Sequence, residues 1–116
     1  MHELSVATAV LNTALGHAGE QPVEVVAMRV GAMRQVVPES LRFYWDIVAR
    51  DTLCEGARLE LTVVDAQLRC ERCQREWAPS TAAFSCPGCG VSGRVAVVTG
   101  DELLVDYLEL KEPIHA

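Results

Sequence analysis

Hydrophobic positions recur at spacings of three and four from Leu4 through Ala7, Leu11, Ala14 and Ala18, with Leu15 widening the stripe. That period puts them on one face of a helix spanning residues 3–18. Gly16 and Gly19 mark its fraying end, and the stretch from Gly19 to Pro22 breaks the pattern. Val23 to Val30 is dense in β-branched residues and predicts a strand, with Val26, Met28 and Val30 on one face and Val25, Ala27 and Arg29 on the other. Gly31 ends it. Pro38 suits the first position of a second helix, where its missing N–H is no loss, and Glu39 then lies at the positive end of the helix dipole. Leu41, Tyr44, Trp45 and Val48 form the apolar face of this helix. After a turn at Gly56, Arg58 to Val64 alternates, with Leu59, Leu61 and Val63 inward. Leu103 to Leu110 predicts a last strand, with Leu104, Leu108 and Leu110 sharing one face.

The order helix, strand, helix, strand, cysteine-rich insert, strand points to an α+β fold. The expected architecture is a small three-stranded sheet with two helices, plus an inserted four-cysteine, zinc-ribbon-like module. Residues 1–66 with 100–116 make the α/β domain, and 67–99 the insert. A chain of 116 residues has room for that and little more.

Charge narrows the possible partners. The formal net charge is -6, whereas a nucleic-acid binder needs a basic face to displace counterions from phosphate. Segment 67–99 carries Arg69, Arg72, Arg75 and Arg94 against Glu71 and Glu76, and four thiolates around a divalent ion bring it close to neutral. No apolar run reaches the roughly 20 residues of a membrane span, and the N-terminus lacks the basic start of a signal peptide. The expected location is the cytoplasm, where paired cysteines serve as metal ligands or redox centres more often than as disulfides.

Those pairs are Cys70-x-x-Cys73 and, twelve residues on, Cys86-x-x-Cys89. Each can fold into a knuckle that presents two sulfurs on one side, and two facing knuckles supply the tetrahedral thiolate set that zinc prefers. Gly90 gives the second knuckle its turn chemistry; the first has Gln74 at that position. Two disulfides, a thioredoxin-type redox pair and a rubredoxin-like iron site are the rival readings, and spacing alone does not separate iron from zinc. Four protein ligands leave no open coordination position, so the site is expected to be structural. A segment of about 35 residues needs metal to complete its folding free energy. Cys54, without a partner at motif spacing, reads as a small, partly buried hydrophobe in preference to a functional thiol.

Three histidines remain: His2, His17 and His115. His17 falls near a helix end and His115 in the C-terminal tail, and neither is expected to be a ligand. His2 differs because its imidazole, the Met1 amine and neighbouring deprotonated amide nitrogens can close compact chelate rings, an all-nitrogen square-planar set suited to Ni(II) or Cu(II). Glu3 could accept a hydrogen bond from the imidazole or add a weak ligand. By itself this is a weak signal, since any chain can begin Met-His.

A wider pattern gives it weight. Met1-His2-Glu3-Leu4-Ser5 is followed by Gly31, then by Val37-Pro38-Glu39-Ser40-Leu41-Arg42-Phe43, Cys54-Glu55-Gly56-Ala57-x-Leu59, both cysteine pairs and Gly100-Asp101-Glu102-Leu103. In that order, over nearly the whole chain, the sequence resembles the HypA/HybF family of hydrogenase nickel-incorporation proteins. The resemblance implies a nickel metallochaperone, not an enzyme, that matures [NiFe]-hydrogenase. It would deliver Ni(II) to the precursor of the large subunit with a HypB-type GTPase, and some relatives also serve urease. It also implies nickel binding at His2 with Met1, Glu3 and the adjoining backbone, and structural zinc at Cys70, Cys73, Cys86 and Cys89. The family often has a small non-cysteine residue where Cys54 stands. Some members carry a histidine near the zinc module, and residues 66–100 here have none.

The competing functions are a zinc-ribbon interaction module and a rubredoxin-like electron carrier. The lack of a basic ribbon speaks against nucleic acid for the first, and the absence of visible colour would exclude the second. With no P-loop and no nucleophile–base pair in the sequence, nucleotide hydrolysis falls to a partner.

Overall fold

The computed structural model describes residues 2–79 and 85–112. Helix α1 (Glu3–Ala18) leads to strand β1 (Val23–Gly31), one 3-10 turn (Ala32–Arg34), helix α2 (Pro38–Val48) and strand β2 (Arg58–Val64). Strands β3 (Gln67–Cys70), β4 (Glu76–Trp77) and β5 (Val95–Thr99) follow, and β6 (Leu103–Leu110) closes the fold. Two three-stranded sheets result, ordered β2-β1-β6 and β4-β3-β5.

β1 is the centre of the first sheet. It pairs in parallel with β2, from Val25↔Arg58 to Gly31↔Val64. A parallel pair needs a crossover, and α2 is that crossover. On its other edge β1 runs antiparallel to β6. Buried on both faces, its apolar residues are nearly continuous rather than alternating. Both helices pack on one face of this sheet. Their core joins Val6, Ala7, Val10, Leu11, Ala14 and Ala18 to Val26, Met28, Val30, Leu41, Trp45 and Leu59. Trp45, only 1% exposed, donates its indole N–H to the Ala57 carbonyl at 3.0 Å, tying α2 to the turn that opens β2.

Three side-chain expectations are corrected. On α1 the buried stripe includes Val6 and Val10, while Leu4 is 49% exposed and lines a surface cleft in the first turn. On β6 the register shifts between Ala27 and Met28 of β1, skipping Asp106. This bulge lets Leu103 and Val105 on one side of it and Leu108 on the other all face the helices, with Leu104 outside. Leu110, past a second shift between Val23 and Val25, is exposed at the end of the strand. Val63, expected inward, is 51% exposed near the end of β2, past the cover of the helices.

The second sheet branches from the first at one crowded crossing. A Cβ on Gly31 would lie 2.0 Å from the Gly100 carbonyl carbon, and one on Gly100 would lie 2.5 Å from Ala66 Cα. Three backbones therefore meet where glycine allows it. Gly31 N–H donates to Glu102 O at 2.7 Å and Met33 N–H to Gly100 O at 2.9 Å. Arg34 Nε donates to Asp101 O at 2.9 Å, and Thr99 Oγ1 donates to Asp65 O at 2.9 Å. These bonds strap both connections to the α/β sheet. The molecule is elongated, 66 × 23 × 18 Å along its principal axes.

Gly31→Ala should destabilise the protein by about 3 kcal/mol or more, because the new methyl meets backbone that cannot yield. Gly16→Ala, on the exposed face of α1 with nothing within 4 Å of the new Cβ, should stabilise it by about 0.5–1 kcal/mol. Urea denaturation followed by circular dichroism measures both; equal effects would contradict the crossing.

Candidate metal centre

The four cysteines of the two pairs converge. Their sulfurs all lie within 4.8 Å of one another, and this is the one group of three or more metal-capable side chains among the described residues. Cys70 Sγ stands 3.7 Å from Cys89 Sγ, and Cys73 Sγ 3.5 Å from Cys86 Sγ. Sulfurs at the corners of a tetrahedron about 2.3 Å from zinc stand about 3.8 Å apart. The cluster thus has the spacing of a tetrathiolate site, while a disulfide would bring sulfurs to about 2.05 Å. The residues present fit a single tetrahedral ion.

Local folding explains the convergence. Cys70 ends β3 and pairs with Val95 of β5. Its knuckle is closed by Cys70 N–H donating to Arg75 O and Gln74 N–H donating to Cys70 O, each at 2.8 Å. The second knuckle repeats the scheme, Cys86 N–H donating to Val91 O at 3.1 Å and Gly90 N–H to Cys86 O at 2.9 Å, inside a bridge between Ser85 and Ser92. Gln74 takes the left-handed conformation (φ 66°) that Gly90 takes at φ 74°. For a residue with a Cβ this costs roughly 1–2 kcal/mol. The side chain offsets part of it, Nε2 donating to Glu71 O at 3.1 Å.

The knuckles also prepare their first sulfurs to be thiolates. Cys86 Sγ accepts from Cys89 N–H at 3.4 Å and Gly88 N–H at 3.3 Å. These bonds, led by that from Cys89, bring its thiol down to about 6. Cys70 Sγ accepts from Cys73 N–H at 3.5 Å, and this bond foremost lowers its pKa. At Cys73 the Arg75 N–H also lowers the pKa, but the neighbouring Cys86 sulfur and burial outweigh it and push the thiol up to about 11. Within the module only Leu68, Cys70 and Cys86 are buried among the described residues. So small a core gives bound metal a structural part to play.

Cys54 lies apart, fully buried in the α/β core. Burial raises its pKa, as suits a thiol that packs as a hydrophobe.

His2 is the N-cap of α1 (φ −81°, ψ 108°) and makes no side-chain capping bond. Its imidazole is exposed, while its carbonyl accepts from Val6 N–H at 3.1 Å. Glu3 opens the helix, and Met1 lies outside the described residues, as does His115. His2, Glu3, Leu4, Ser5 and Tyr44 line an open cleft of about 420 Å³. Tyr44 reaches it from α2, packed against the core; the helical period placed it on the apolar face but could not say what it would border. No further histidine, cysteine or carboxylate joins His2 and Glu3 in a metal-sized cluster among the described residues. His17 falls in the last turn of α1, beside a groove along β6.

Gln74→Gly should relieve the left-handed strain and raise the stability of the metal-loaded module by about 1 kcal/mol. Thermal unfolding of the zinc-loaded variant and parent checks this, and no gain would mean that the side-chain bond already cancels the strain.

Comparison with known proteins agrees with this architecture. A family model described as hydrogenase/urease nickel incorporation, metallochaperone, hypA matches residues 1–110. The hydrogenase maturation factor HypA of Geobacter sp. (strain M21) is 40% identical over 111 residues, which cover 96% of this chain and 100% of the relative. That of Solidesulfovibrio magneticus is 38% identical over 117 residues, covering 96% and 100%. The solution structure of the Ni metallochaperone HypA from Helicobacter pylori superposes with a TM-score of 0.70 at 22% identity, covering 95% of this chain and 97% of that one. With its two helices, paired small sheets and four-cysteine cluster, this chain belongs to the HypA family of hydrogenase nickel-incorporation metallochaperones.

Proposed function

We propose that the chain carries Ni(II) at its N-terminus for insertion into the large-subunit precursor of a [NiFe]-hydrogenase, and that zinc at the four cysteines is structural. The observation that supports it most directly is His2 standing as an uncommitted N-cap. Its imidazole caps nothing, and the first amides of a helix have no acceptor within it. The Met1 amine, the His2 and Glu3 amide nitrogens and the imidazole can therefore wrap Ni(II) without dismantling α1. Such nitrogen ligation is square-planar. Glu3 beside the imidazole can orient it or take an outer position. Exposure suits a cargo that must be handed on.

On this reading residues 1–66 with 100–116 form the nickel-binding domain and 67–99 the zinc domain. Zinc bound by Cys70, Cys73, Cys86 and Cys89 supplies cross-links that the small core of the module lacks. The chain itself hydrolyses nothing, so the energy for ordered release would come from a HypB-type GTPase. The setting is the cytoplasm; no described helix is long and apolar enough to cross a membrane.

Titrating Ni(II) calorimetrically into tag-free protein, His2→Ala and a form extended at the N-terminus tests the site. The two altered forms should bind at least about tenfold more weakly than the parent; three equal isotherms would sink the proposal. Stripping zinc with a chelator should collapse the amide resonances of 67–99 while those of α1, β1, α2, β2 and β6 persist. Cys→Ser at any of the four ligands should do the same and lower zinc content. A module that stays folded without metal would refute a structural role.

A further inference from the structure

The zinc-binding cluster has two different sides. Cys70 and Cys86 are buried, whereas Cys73 and Cys89 are exposed. Cys73, Gln74, Arg75, Gly88 and Cys89 line one open cleft of about 550 Å³, so both exposed cysteines face the same approach. Arg75 reaches across this cleft from the first knuckle to the second. A Cβ on Gly88 would sit 2.6 Å from Arg75 Nε and 3.2 Å from Cδ. A side chain at 88 would have to displace the Arg75 stem from this position. Arg75 makes no ion pair with a carboxylate among the described residues, whereas Arg69 of the same module pairs with Glu76 at 3.7 Å. A free cation therefore stands in a cleft bordered by two accessible sulfurs.

Each exposed sulfur also has a buried sulfur of the other knuckle at close range: Cys86 for Cys73 at 3.5 Å, and Cys70 for Cys89 at 3.7 Å. This arrangement suits attack on a small oxidant better than alkylation. An alkylating electrophile needs only the exposed sulfur. A hydroperoxide leaves an oxygen anion that a nearby cation can receive, and a second sulfur carries the sulfenic acid on to a disulfide.

We propose that the cleft is a hydroperoxide-reactive modification site, in which Cys73 and Cys89 are oxidised first and are resolved across the knuckles by Cys86 and Cys70. This inference rests on the zinc-tetrathiolate reading above. In the first step a lone pair of Cys73 Sγ attacks one peroxide oxygen. The S–O bond forms as the O–O bond breaks, and the departing hydroxide or alkoxide, held by the Arg75 guanidinium, takes a proton from water. Cys73 becomes a sulfenic acid and the peroxide is reduced. The Cys86 thiolate then attacks the Cys73 sulfur; the S–S bond forms, the S–O bond breaks, and hydroxide leaves to become water. Two thiolates have lost two electrons to one peroxide. With two of its four ligands consumed, the ion is lost from the module. The same steps link Cys89 to Cys70. Arg75 acts here on the leaving oxygen, and the disulfides join one knuckle to the other rather than closing within a Cys-x-x-Cys pair.

The test uses zinc-loaded, tag-free full-length protein with hydrogen peroxide as the probe. Zinc content and the absence of visible absorption are measured first; a protein without zinc, or one coloured by iron, would defeat the zinc reading itself. Released zinc is then followed with a chromogenic chelator, subtracting release without peroxide, and disulfides are mapped by non-reducing peptide mass spectrometry. The expected products are Cys73–Cys86 and Cys70–Cys89 disulfides, formed with zinc release. Arg75→Gln should slow the peroxide-dependent rate by about five- to tenfold, the rate equivalent of one charge-assisted hydrogen bond. Arg72→Gln, which removes the same charge outside the cleft lining, should leave that rate unchanged. In a zinc-loaded protein, disulfides confined to Cys70–Cys73 and Cys86–Cys89, no peroxide-dependent release, or equal slowing by the two arginine variants would each overturn the inference.

Discussion

β1 must pair on both edges at once, and the placement of every other element of the α/β part follows from those two ladders. Its parallel partner β2 requires the crossover that α2 provides, and its antiparallel partner β6 arrives only after the chain has built the cysteine module. The insert must therefore leave and return at one end of the same sheet. That requirement produces the crossing of Gly31, Ala66 and Gly100, where a single added methyl would strike backbone. The glycines are needed for approach distance at Gly31, and at Gly100 for a backbone at φ 106° as well.

The two candidate metal-binding regions differ in how their geometry is held. The four cysteines sit on β3, on two hydrogen-bonded knuckles and on a short bridge, so most of the cost of gathering the sulfurs is met by backbone bonds. A tetrahedral site with every corner filled by protein holds its ion and offers no place for cargo. His2 is held only through its backbone, as the residue that starts α1. An exposed imidazole beside helix-start amides is weakly constrained, which suits a site that must release what it binds.

Closure of the cysteine cluster does not make its sulfurs equivalent. Cys70 and Cys86 are buried, and the open side of the module exposes Cys73 and Cys89 beside Arg75. Coordination and chemical reactivity are thus decided by separate features: coordination by the spacing of the pairs, reactivity by which sulfur the fold leaves uncovered.

Much of this was legible in the sequence. Helical and strand periods located α1, β1, α2, β2 and β6 because each has a one-sided or fully buried pattern longer than its flanking turns, and Pro38, Gly31 and Gly56 punctuate them. The two Cys-x-x-Cys pairs announced a tetrathiolate cluster because ligand spacing is a local property. The inward face of β6 was not legible, since the bulge at Asp106 and a second shift between Val23 and Val25 are set by register against β1 and break the alternation of the strand. Nor was the α1 face, which the sheet selects by covering Val6 and Val10 instead of Leu4. The β3 and β4 segments are too short to carry a period of their own. Tyr44 beside His2, and Arg75 across Gly88, are contacts between residues distant in the chain or on separate turns. Sequence alone determined which residues could bind metal and where the elements lie, because both depend on neighbours along the chain. Tertiary structure decided which face is buried, which sulfurs are exposed and what borders each site, because those depend on neighbours brought together only by folding.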